Sequence, residues 1–96
     1  MHSNPTITSG RALIIIPGTV NYFYNLSGRR VAEALGELGL AVEVSTLGAC
    51  PDGDFDCCFL SNITEILCAH GDEADGLERI AALGGRCRVA PRCGRR

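Results

Sequence analysis

The apolar positions of this chain fall into short runs separated by longer mixed segments. Residues 12–16 (ALIII) form the first run, with no alternation. A strand buried on both faces reads this way, as in the middle of a parallel sheet. Pro17 cannot donate to a ladder and Gly18 permits a sharp turn, so the strand is expected to end there. Residues 19–26 (TVNYFYNL) read as a loop at the carboxyl end of that strand, with Ser27 capping a helix. In the helix Val31, Leu35 and Leu38 share one face, and Arg29, Arg30, Glu33 and Glu37 lie on the other. Gly39 suits the left-handed position just beyond a helix end. A second strand follows over 40–47, where Val42 and Val44 alternate with Glu43 and Ser45 and predict a less buried position.

Residues 48–54 (GACPDGD) are rich in turn formers, and 55–60 (FDCCFL) read as a third strand. Asn62 with Glu65 three positions on has capping-box spacing for a short helix over 63–69. Asp72 caps a further helix with Ala74, Leu77, Ile80 and Ala81 on its inner face, ended by Gly84-Gly85. Residues 86–90 (RCRVA) read as a fourth, weaker strand. The order predicts the α/β class: a three-layer, Rossmann-like open parallel sheet of about four strands, incomplete beside a full doubly wound domain. The expected organisation is a loose tail over 1–10, the α/β domain over 11–90 and a basic tail over 91–96.

Charge and composition then narrow the function. The 96 residues carry a net charge of −2, which does not suggest a general nucleic-acid binder. The longest apolar run is far shorter than the roughly 20 residues needed to span a bilayer. No signal-peptide pattern is evident, so a cytoplasmic location is the default expectation. Six cysteines without an export signal, two of them adjacent at Cys57-Cys58, read as free thiols, with Cys50 expected to be the exposed one. Cysteine and histidine spacing does not match a zinc site, and no cofactor is expected.

Common reaction signatures are missing. The dinucleotide fingerprint needs clustered glycines after the first strand, but the next glycine after Gly18 is Gly28. There is no lysine for a P-loop and no G-x-S-x-G nucleophile elbow. Asp52, Asp54 and Asp56 alternate without the glycine and terminal glutamate of a calcium loop. The sequence instead concentrates both tyrosines and an asparagine pair, Asn21, Tyr22, Tyr24 and Asn25, after the first strand. In open parallel sheets this edge is where ligands bind. Aromatic faces with amides suit a sugar or a base, although the same rings could simply pack over the sheet edge.

The segments ALIIIPG, TVNYFYNLSG, RRVAEALGELGL with AVEVSTL, and DFDCCFLSNITEIL together resemble the N-terminal Rossmann-like half-domain of bacterial GT-B glycosyltransferases of the group 1 or family 4 type. The resemblance spans about residues 11–90. It implies an acceptor-side domain that works with a separate donor-binding domain, whose acidic motif is not in this sequence. It also implies a truncated chain, inactive alone. Substrate contacts would come from Gly18, Thr19, Asn21, Tyr22, Tyr24 and Asn62, with a sugar acceptor or nucleotide-sugar as partner. Two other readings remain open. One is a stand-alone Rossmann-like or flavodoxin-like binding module using the same edge. The other is a protein that completes its sheet with another chain, since open sheet edges predict self-association.

Overall fold

The computed structural model describes residues 10–18, 22–87 and 92–93. Four parallel strands, β1 (Arg11–Ile15), β2 (Ala41–Ser45), β3 (Cys57–Leu60) and β4 (Arg92–Cys93), form one open sheet in the order β2-β1-β3-β4. Three helices, α1 (Tyr22–Glu37), α2 (Ile63–His70) and α3 (Glu73–Arg86), complete the α/β domain. This is the start of a doubly wound order, with the chain switching from one side of β1 to the other after β2. None of the helices among the described residues is long and apolar enough to cross a membrane.

β1 sits in the centre, and its apolar run is buried as the sequence predicts: Ala12, Leu13, Ile14 and Ile15 are fully enclosed. The alternation of the pleat sends these side chains to two layers. Leu13 and Ile15 join Leu60, Ile66 and Leu83 in the core beneath α2 and α3. Ile14 and Ile16 face α1, where their Cγ2 methyls crowd Gly28. β2 lies at one edge of the sheet, and its half-exposed pattern follows from covering one face only.

The end signals at Gly39, Asn62 and Asp72 work as the sequence predicts. Gly39 has φ 99°, the Gly39 amide donates to Gly36 O (3.0 Å) and the Leu40 amide donates to Leu35 O (3.3 Å). This pair of bonds is a Schellman ending. The Glu65 amide donates to Asn62 Oδ1 (3.0 Å) at the start of α2, and the Asp75 amide donates to Asp72 Oδ1 (3.0 Å) at the start of α3.

Several expectations change. α1 begins at Tyr22, so Tyr24, Asn25, Leu26 and Ser27 are helical rather than loop, and Ser27 is not the cap. Leu38 lies beyond the helix end and is exposed. α3 continues through Gly84-Gly85 to Arg86. Its inward stripe is Gly76, Ile80 and Leu83, not Ala74, Leu77 and Ala81, which are exposed. Gly76 explains the shift: a Cβ there would stand 2.6 Å from Leu67 Cδ2, so α3 meets α2 at a residue with no side chain to register in a hydrophobic pattern. The fourth strand pairs at Arg92–Cys93 against Phe59 and Leu60, within the expected basic tail. From the expected 86–90 strand, Arg86 is helical, Cys87 forms an isolated bridge to Phe55, and 88–90 lie outside the described residues. The expected tail over 1–9 also lies outside them.

At the opposite, amino edge, Arg11 ties three segments together. Its guanidinium donates to Glu43 Oε2 (3.0 Å) and to Asp54 O (3.2 Å), and lies 4.3 Å from the centroid of the Phe55 ring. Its backbone amide donates to Asp56 Oδ2 (2.8 Å). Asp54 and Asp56 therefore serve as anchors for β1.

Candidate functional site

An open cleft of about 440 Å³ lies at the carboxyl edge of the sheet. The end of β1 supplies Pro17 and Gly18. The 3₁₀ turn after β2 supplies Leu47 and Gly48, with Thr46 just before it. α2 supplies Ile66, Ala69 and His70. Apolar walls with a few convergent polar groups are the usual make-up of a small-molecule site. His70 is the only ionisable side chain among these lining residues.

The joint between α2 and α3 places that histidine. Gly71 ends α2 in the left-handed conformation, φ 90°, and its amide donates to Leu67 O (3.2 Å). Asp72 starts α3 immediately afterwards. This tight joint sets Asp75, in the first turn of α3, beside the last residue of α2. His70 Nε2 lies 2.7 Å from Asp75 Oδ2, and Arg79 Nε donates to the same oxygen at 2.7 Å. The Nδ1–Cε1 edge of the ring faces Gly48, each atom 3.9 Å from where a Cβ on Gly48 would stand.

Hydrogen bonds from Arg79 and then from His70 hold the Asp75 carboxyl below its ordinary value. A lowered folded-state value means that Asp75 favours the fold when ionised. This contribution is complete above the ordinary aspartate range and is lost as pH falls through the lowered value. Asp75→Asn is therefore expected to flatten that part of the acid unfolding profile, as followed by circular dichroism at graded pH. An unchanged profile would contradict the ion pairing.

Gly18 is the residue designated by the sequence that lines this cleft, and its amide donates to Asn25 Oδ1 (2.9 Å). Tyr24 stands on α1, and Asn62 is engaged as the cap of α2. Tyr22 opens α1, while Thr19 and Asn21 lie outside the described residues. Exposed Phe23 meets Tyr24 edge-on, with centroids 5.1 Å apart. His70 was invisible to sequence reasoning, because its partner is five positions away across a helix break. The one available signal was H-G-D-x-x-D, a glycine stop and an aspartate cap between a histidine and a second aspartate.

Among the described residues no cysteine lines the cleft. Burial pushes the Cys58 thiol up to about 12, and burial followed by the Asp56 charge raises Cys57. Among the described residues Cys68 is the exposed cysteine and Cys50 is half-buried against the core, reversing the expectation for Cys50. Among the described residues no three His, Cys, Asp or Glu side chains are grouped to hold a metal ion.

Ser61, at the end of β3, is buried, and among the described residues its hydroxyl has no hydrogen-bond partner. An unpaired buried hydroxyl costs roughly 1–3 kcal/mol. Ser61→Ala is expected to leave stability unchanged or raise it by about 1 kcal/mol in urea unfolding. A clear loss would contradict the unpaired assignment. In comparisons with known proteins, no family model matches this chain, and no curated protein or solved structure matches it either.

Proposed function

We propose that this chain is a ligand-binding α/β domain that holds a small polar molecule in the carboxyl-edge cleft. The observation that supports this reading is the position of the cleft. It opens at the strand ends where open parallel sheets take their ligands, and its lining mixes apolar residues with Thr46 and one imidazole. The test is an amide NMR titration with glucose, repeated on Gly48→Leu. Gly48 is exposed and a Cβ there meets only ordinary contacts at 3.9 Å, so the substitution fills the cleft without entering the core. Saturable shifts at Gly18, Gly48 and His70 that vanish in the variant are the expected result. Shifts confined to another surface, or none, would remove the proposal.

A second proposal places the same domain on the acceptor side of a glycosyltransferase, opposite a donor-binding domain. Its support is that β3, which carries the DFDCCFLSN resemblance, lies beside β1, so that Ser61-Asn62 and Pro17-Gly18 end at the same edge. Under that reading the isolated chain binds a sugar but releases no nucleotide from a nucleotide-sugar. Nucleotide release by the isolated chain would contradict it.

A further inference from the structure

From the geometry at the α2–α3 joint we infer that His70 makes the cleft selective for ligands that donate a hydroxyl hydrogen, and so for neutral hydroxylated molecules. This rests on the cleft being the binding site. An ionised carboxylate only accepts hydrogen bonds. The 2.7 Å contact with Asp75 Oδ2 therefore requires the hydrogen on His70 Nε2. In the neutral ring this leaves Nδ1 as a bare acceptor. Among the described residues Nδ1 has no partner, and its edge of the ring faces Gly48 across the cleft. Arg79 holds the same Asp75 oxygen, which fixes the carboxylate that orients the ring. Gly76 lets α3 approach closely enough for the pair to form, since a Cβ there would crowd Leu67 and stand 3.3 Å from His70 Cδ2.

The rest of the cleft fits the same ligand class. Leu47 and Ile66 are buried beneath the cleft and Ala69 is half-exposed beside it, and no other lining residue carries a charge. With the ring neutral, a charged ligand would find no counter-ion among the lining residues. A ligand with acceptors alone would leave Nδ1 desolvated and unpaired. Asp75 acts through the ring and is a positioning residue.

The experiment compares cyclohexane-1,2-diol with 1,2-dimethoxycyclohexane, which share ring and oxygens but differ in hydroxyl hydrogens. Both are titrated into the full chain at mildly alkaline pH and followed by amide and imidazole ¹⁵N NMR. In the free protein Nε2 should be the protonated nitrogen. The diol should shift Gly18, Gly48 and His70 at concentrations about tenfold lower than the diether requires. Asp75→Asn supplies the readout that a merely structural role would not move. An asparagine amide can donate to Nε2, which turns Nδ1 into a donor and should shrink or invert the preference for the diol. A protonated Nδ1 in the free protein overturns the inference. Equal binding of diol and diether overturns it while leaving the cleft as the site. Failure of both probes to shift the cleft amides removes the binding-site reading and the inference with it.

Discussion

Gly28→Ala is expected to lower the stability of this domain, and Gly36→Ala, the same change two turns further along α1, is expected to raise it. Both glycines lie within α1. Gly28 is buried against the sheet, where a Cβ would overlap Ile16 Cγ2 and stand 3.3 Å from Ile14 Cγ2. Both isoleucines are buried, and a β-branched methyl has little rotamer freedom to move aside. Overpacking of this kind costs about 1–3 kcal/mol. The helix propensity of alanine over glycine returns about 1 kcal/mol of it. Gly28→Val adds two methyls to the same space with less of that gain and should cost more. Gly36 is exposed with nothing within 4 Å of its Cβ direction, so only the propensity term of about 1 kcal/mol remains, with the opposite sign. Each kcal/mol moves the melting temperature of a domain this size by about 4–8 °C. If both variants shift in the same direction, α1 does not pack on β1 through Gly28.

Phe55→Ala carries the other large effect. The side chain is 2% exposed and belongs to the core that covers Leu13, Ile15 and Leu60. Truncating a buried phenylalanine removes about 3–5 kcal/mol. The Arg11 guanidinium, 4.3 Å from the ring centroid, loses a cation–π contact in addition. A chain of this length has a total stability of roughly 5–14 kcal/mol, at 0.05–0.15 kcal/mol per residue. The variant should therefore lose about a fifth of its stability or more in urea unfolding, while Phe55→Leu should lose less than about 1.5 kcal/mol because most of the volume is kept. Near-native stability of Phe55→Ala would show that the ring does not hold β3 against the core.

Sequence and structure agree where one short segment decides the outcome. Three consecutive isoleucines are enough to mark a central strand, and Gly39, Asn62 and Asp72 act on bonds within a few residues of themselves. Features set by distant packing were not legible. Gly28 and Gly76 add nothing to a hydrophobic pattern, yet each marks a close approach of helix to strand or helix to helix. The aromatic stretch Tyr22–Tyr24 reads as loop because its residues carry no helical stripe of their own, and it becomes the first turn of α1 in the fold. His70 and Asp75 belong to two helices, so only the geometry of the joint between them brings the ring and the carboxylate together.

The central claim is that the carboxyl-edge cleft binds a hydroxylated molecule through His70. A crystal structure of the full chain grown with cyclohexane-1,2-diol tests it most directly. The account predicts the diol in the cleft beside Gly48 and Ala69, with one hydroxyl oxygen at hydrogen-bond distance, about 2.7–3.2 Å, from His70 Nδ1. A diol bound on another surface, or one in the cleft with its hydroxyls turned away from Nδ1, would contradict it.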